Sequence, residues 1–465
     1  MLELLWVLLP VATGAMLLYR FAGLRALAPR WAAALLIAGA GAALGIGLAS
    51  IIFFLSALCL PGFRFLPMLA EIGLAGWLAF EVYRSRREAP SPVPDEKRFP
   101  WTPVLALALA TVLVAATMAM TNYWSANPQG NWDAWAIWNL RARFLAAGDL
   151  APRAWSPMLS GSSHPGYPLL VSGFVGRCWS YAGTASVVAP IAAGMILFLA
   201  LVAMGTGGIA ALSGGSLGLL FGLAVASSPF LLHEVPAQYA DIPLACYFAG
   251  ALVLLLLDRP LWAGALASLA AWTKDEGLLF VLALFAVMAL TRRKQWKWTL
   301  AGVAPAGAVV LLFRLFLTHG SSWLTGSGGS SAGLLMKLRD SGRYLTVAGT
   351  VIESLWNMGF GWYHPILPLL VLCVVLRFKR DWRRDVVPAG VLTGLMMLGY
   401  FMIYIVTPLD LNWQLSTSLD RLLVQLWPLF LIAVFAGLRA PEAMAVEVPA
   451  PEPKRKEAPA RRSKR

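Results

Sequence analysis

Cysteine and histidine are scarce in this chain, with four of each among 465 residues. Cys59, Cys178, Cys246 and Cys373 lie singly in or beside apolar stretches, and no pair has metal-ligand spacing, so they read as packing residues. Charge is scarce as well: Asp, Glu, Lys and Arg make up 13% of the residues, against 59% hydrophobic ones. No internal repeat is visible. No Ser-His-Asp arrangement stands out, and the glycines at 326–329 lack the lysine-serine pattern of a phosphate-cradling loop. The opening Met1-Leu-Glu-Leu-Leu-Trp has no basic n-region, so a cleaved signal peptide is not indicated and the first helix is expected to stay.

What the chain has instead is apolar length. Mean hydropathy is +0.70, and several runs reach the roughly 20 residues needed to cross a bilayer. The fold class is therefore an all-α polytopic membrane protein. A net charge of +14 would suggest a nucleic-acid partner until the charges are located. Of the 37 Lys and Arg, 26 fall in short loops and a tail on one side, nine on the other, and two (Arg177, Arg314) within apolar segments. That asymmetry follows the positive-inside rule and implies membrane lipids, with no nucleic acid. The basic loops should be cytoplasmic, as should the Pro-, Ala- and Lys/Arg-rich tail from Arg439, which reads as disordered.

Apolar segments lie at about 2–19, 31–57, 65–83 and 101–121. Six more fall between 165 and 291, and 298–317, 361–377, 386–407 and 421–438 complete the series. Seven stretches separate cytoplasmic residue 100 from cytoplasmic residue 292, yet an even number must cross. One is expected not to span, within 165–232, where Gly205, Gly207, Gly208, Gly214 and Gly215 would break the helix and open a cavity near the outer face. The result is about 13 transmembrane helices and a long outer loop, 122–165. Residues 344–359 suit an interfacial helix.

Within the long loop, Asn131 to Gly148 is the most aromatic and polar stretch. Trp135, Trp138, Ala142 and Leu145 fall on one helical face, with Arg141 and Arg143 among the polar residues, as suits a short helix at the membrane surface. Asp133 just before it fits either a helix N-cap or a catalytic carboxylate. The other unusual polar residues gather on the same outer side, including His164, His233, His319 and His364. Tyr239-Ala240-Asp241-Ile242-Pro243 opens a helix, and Asp241 there also fits a cap. Thr273-Lys274-Asp275-Glu276-Gly277 joins two apolar segments, one only about 13 residues long, which would draw three charges below the headgroups. Ser418-Leu419-Asp420-Arg421-Leu422 places Arg421 at the start of the last helix, against the helix dipole unless an anion joins it. A divalent metal held by Asp133, Asp241 and His164 is compatible with their donor types but not required.

The order of Asp133, His164-Pro165-Gly166-Tyr167-Pro168, Tyr239–Pro243 and Thr273–Gly277 resembles the GT-C superfamily of membrane glycosyltransferases. It is closest to the branch with protein O-mannosyltransferases and lipid A aminoarabinose transferases, over roughly residues 100–300, with a looser match from Tyr404 to Pro428. The resemblance implies transfer of a sugar from a polyprenyl-phosphate carrier to a lipid, glycan or protein acceptor at the outer face of the inner membrane. It implies Asp133 as general base. His164, Asp241, Lys274, Asp275, Glu276 and Arg421 would line the substrate site, with Lys274 and Arg421 toward the carrier phosphate and Asp241 positioning. The chain then divides into a three-helix segment and linker (1–100), a GT-C-like catalytic module (101–300), C-terminal helices (301–438) and a basic tail (439–465). Three helices before residue 100 and the acidic Asp275-Glu276 depart from the usual pattern. A transporter or flippase of a lipid or sugar is the alternative; the missing repeat counts against it.

Overall fold

An apolar run in lipid must satisfy its backbone internally, which makes the helix the natural form of each segment. The computed structural model describes residues 2–60, 62–63, 65–86, 99–318, 331–358 and 366–445. Among them the only β contact is an isolated antiparallel bridge between Phe378 and Leu438. Among the described residues eight helices are long and apolar enough to cross a membrane. They are α1 (Leu2–Phe21), α2 (Arg30–Cys59), α3 (Phe65–Arg86), α4 (Thr102–Ala126), α7 (Val188–Ser213), α13 (Trp296–Leu312, with its flanking turns), α17 (Arg383–Val406) and α18 (Leu411–Gly437). A polytopic membrane protein is what such an architecture accords with. The start of the tail is ordered, against the expectation of disorder: Arg439 N–H donates to the Arg377 carbonyl and Pro441–Ala445 form a short helix, while residues 446–465, His319 and His364 lie outside the described residues.

The glycine-rich region departs from the sequence expectation. Gly205, Gly207 and Gly208 do not break the chain but sit inside α7, where neighbouring helices come too close for a side chain. A Cβ on Gly207 would lie 2.3 Å from the Ala32 carbonyl oxygen of α2, and one on Gly208 2.3 Å from Val253. The break comes only at Gly214, and a second one follows at Ser227-Ser228, between α8 (Gly215–Ala226) and α9 (Pro229–Ala237). These two are bent by 58°. A cleft of about 930 Å³ opens at the Gly214 end, lined by Trp31, Lys379, Arg380, Arg439 and Glu442.

α6 (Leu170–Ala182) is a helix of 13 residues. The Leu169 carbonyl before it accepts from Ser50 Oγ near the end of α2, and Trp179 Nε1 donates to Ser186, whose hydroxyl bonds Glu3 at the start of α1. Both ends of α6 thus lie toward the same end of the bundle. Arg177 on α6 is fully buried and forks onto Glu71 of α3, while its Nη1 donates to the Trp6 carbonyl of α1 at 2.7 Å.

At the centre stands α10 (Asp241–Leu256), all of whose residues are buried. Its short length is tolerable because protein rather than lipid surrounds it: α7, α11 (Pro260–Thr273) and α18 pack against it. One end carries Asp241. Just past the other, Asp258 accepts from Arg292, Gln295 and Arg384, and Arg259 donates to the Gly23 carbonyl. The basic loops therefore gather at one end of the bundle and Asp241 at the opposite one. A helix, α15 (Ser341–Asn357), occupies most of 344–359; it turns Tyr344, Val347, Val351 and Leu355 inward and leaves Leu345, Ile352 and Trp356 exposed.

Gly207→Val should lower the melting temperature of the detergent-solubilised protein, since overpacking of this kind costs about 1–3 kcal/mol and the atom met is backbone. Gly394→Ala, where nothing lies within 4 Å of the new carbon, should leave it unchanged or slightly raised.

Candidate functional site

The long loop leaves α4 through Gly130, whose φ of 73° is open to glycine and whose absent Cβ would sit 2.7 Å from the Ala237 carbonyl oxygen. Asn131 N–H donates to that carbonyl at 3.1 Å, Gln238 Nε2 to Pro128, and Asn139 Nδ2 to Gln238 Oε1. The loop is thereby clamped onto the turn between α9 and α10. It then makes one π-helical turn, Ala134–Trp138, before α5 (Asn139–Ala146). The wider turn rotates the chain, so the four-residue face expected from the sequence does not form. Trp138, Ala142 and Leu145 are buried, while Trp135 is half exposed and packs edge-on against Trp132.

Arg141 is not a surface residue. It is fully buried, and its guanidinium donates to the carbonyls of Ala154, His164, Pro165 and Tyr167, holding the far half of the loop like a pin. His164, in the left-handed region at φ 43°, stacks on Tyr167 at 4.5 Å, and Tyr167 in turn stacks on Trp138. Burial, then the nearby Lys274, hold the His164 pKa below its usual value, so the ring is neutral at pH 7. Burial likewise pushes Tyr167 up to about 12.

Asp133 stands where a helix cap would, yet its side chain makes no capping bond. Its Oδ2 instead accepts from Arg421 Nη2 at 2.6 Å. Asp241 is likewise no cap: it lies in the first turn of α10 and is wholly buried, and every bond of its carboxylate is to a side chain. Oδ2 accepts from Arg421 Nε and Nη2 at 2.9 and 2.8 Å; Oδ1 accepts from Lys274 Nζ at 3.2 Å and Gln425 Nε2 at 2.5 Å. Lys274 also pairs with Glu276 Oε1 at 2.8 Å. Asp133, Asp241, Lys274, Glu276 and Arg421, distant in sequence, thus form one continuous ion cluster. His164 borders it through Tyr167, over whose ring Lys274 sits at 6.0 Å. Asp275 does not join: it turns to Arg314, in the π-helical turn Phe313–Leu317 after α13.

The placement of Arg421 corrects the dipole expectation. α18 starts at Leu411, capped by Asp410, so Arg421 lies almost three turns in and its partners, not the helix end, account for it. Among the described residues no group of three His, Cys, Asp or Glu could hold a metal ion; between Asp133 and Asp241 stands the Arg421 guanidinium. No protein-family model, curated protein or solved structure matches the chain.

Sequence reasoning missed Gln425 and Tyr400 and gave Tyr239 no role of its own. Tyr400 OH donates to Gln425 Oε1, extending the Asp241 network inward, and the Arg421 guanidinium lies 4.2 Å from the Tyr239 ring centre. Gln425 carried a signal: a polar residue in an apolar helix, four positions from Arg421 and so on its face.

Arg141→Ala should leave four carbonyls short of a donor, at roughly 1–3 kcal/mol for each that stays buried and unpaired. Hydrogen exchange should accelerate across residues 154–168 while the amides of α10 stay protected.

Proposed function

We propose that this chain is a multi-pass glycosyltransferase of a bacterial-type inner membrane. It would move a sugar from a polyprenyl-phosphate carrier to an acceptor hydroxyl on the extracytoplasmic side. The observation that carries this reading is the contact of Asp133, the most accessible carboxylate of the Asp133–Asp241 pair, with a guanidinium that shares its charge with a buried lysine site. An inverting transfer needs one base and stabilisation of a departing phosphate, and these groups supply both. In the proposed step Asp133 takes the acceptor proton as the acceptor oxygen bonds the sugar's anomeric carbon. The bond from that carbon to the phosphate oxygen breaks, and its electron pair leaves on the phosphate, held by Arg421 and Lys274. Glu276 and Asp241 fix Lys274, His164 borders the substrate, and Asp275 holds Arg314 beside it.

The topology of this reading takes the eight long helices, α8 and α9 as one bent span, and the short α10, α11, α12 (Glu276–Thr291) and α16 (Ile366–Leu376) as crossings. α6 does not cross, which gives 13 and puts the ion cluster outside. In a cysteine-free background, Ser125→Cys should be labelled in intact cells by an impermeant reagent and Ala460→Cys should not. Labelling at 460 would overturn the assignment of sides.

Asp133→Asn tests the base. It should fold and retain the carrier but transfer sugar about 10²–10⁴-fold more slowly, with Asp133→Glu partly active. If the Asn variant turned over like the parent, Asp133 would not be the base, and Glu276 would be next in line.

A further inference from the structure

The ion cluster is already saturated by the protein's own carboxylates. Among the described residues Asp133, Asp241 and Glu276 form ion pairs with Lys274 and Arg421, and Glu234 lies within electrostatic reach of Arg421 and Asp241, so an incoming phosphate would add one more anion beside two cations. Like charges so close are costly in a partly buried site. One carboxylate must yield, and Asp133 is the most exposed of the three ion-paired ones. Asp241 is wholly buried and bonded to Arg421, Lys274 and Gln425. Glu276, two residues beyond Lys274, is 12% exposed and pairs with Lys274. Asp133 is 17% exposed, and its carboxylate has one side-chain partner, Nη2 of Arg421.

The guanidinium is divided in a matching way. Its Nε and Nη2 hold Asp241, Nη2 also holds Asp133, and Nη1 has no partner among the described residues. Removing Asp133 would expose the Nη1–Nη2 edge, the parallel pair of donors that binds phosphate bidentately. Nε would stay on Asp241 and keep the fork oriented.

We infer that the Asp133–Arg421 pair is a displaceable latch: a lipid-linked phosphate takes the Arg421 edge that Asp133 occupies, and so releases the Asp133 carboxylate for use as a base. The inference rests on the glycosyltransferase reading and deepens it. Until the donor is seated the base is tied to a cation and weak, so acceptor activation waits for the donor.

The test uses farnesyl phosphate, which carries a lipid phosphate but no sugar and cannot turn over. Binding is measured by calorimetry on the full-length protein in detergent, with farnesol as the neutral control and melting temperature as the check on folding. Removing the competing carboxylate should make Asp133→Asn bind farnesyl phosphate about 3- to 10-fold more tightly than the parent. Arg421→Lys, which keeps the charge but loses the fork, should bind more weakly, and farnesol should bind all three alike. An Asp133→Asn variant that binds farnesyl phosphate no better than the parent overturns the latch while leaving the lipid-phosphate reading intact. An equal gain for farnesol also overturns it, because the phosphate would not be what is recognised. A folded parent and a folded Asn variant that both ignore farnesyl phosphate overturn the latch and the proposed donor together.

Discussion

A carboxylate with no access to water, set on a helix surrounded by protein, is the constraint on which the rest of this molecule turns. Asp241 cannot remain ionised there unless several donors converge on it. They come from two other parts of the chain: Lys274 after α11, and Arg421 and Gln425 on α18, with Tyr400 of α17 donating to Gln425 behind them. Meeting the demand of one buried charge brings together helices that begin and end far apart in sequence. α10 is thereby held at its Asp241 end by charge and along its length by apolar packing.

A graded exposure follows from this arrangement. Asp241 lies at the bottom and fully enclosed, and Lys274 just above it; Asp133 and Arg421 lie at the rim, with 17% and 19% of their side chains accessible. The inner ion pair sets orientation and the outer one meets whatever arrives. Tyr167, Trp138 and Tyr239 wall the rim with rings, which lowers the local dielectric and strengthens each contact inside.

The helical architecture was legible in the sequence because hydrophobic length and the side chosen by Lys and Arg are properties of single segments. The charged members of the ion cluster were also legible, since a charge such as Lys274 or Asp241 in an apolar context stands out on its own. Their relations were not. That Asp275 would turn toward Arg314 while its neighbours Lys274 and Glu276 pair with each other depends on helix rotation at a turn. The glycines of α7 look the same in sequence whether they break a helix or let another approach, and Val253, Phe221 and Ala32 decide the matter. Arg141 reads as a polar surface residue only until the loop closes over it. The one π-helical turn after Asp133 carries no periodic signature, so the face of Trp135 was misplaced.

Arg177 and Glu71 give the chain a timetable. Their side chains meet across 106 positions of sequence, and Trp6 supplies a third contact from still earlier in the chain. During synthesis α1 and α3 are made well before α6 exists, so Glu71 must wait for its cation while most of the intervening helices and loop emerge. The first three helices are therefore not a finished unit when they leave the ribosome. Their closure comes with α6, and α6 directly follows the loop that carries Asp133. The Arg177 contacts thus tie α1 and α3 to the one helix that directly follows the aromatic loop.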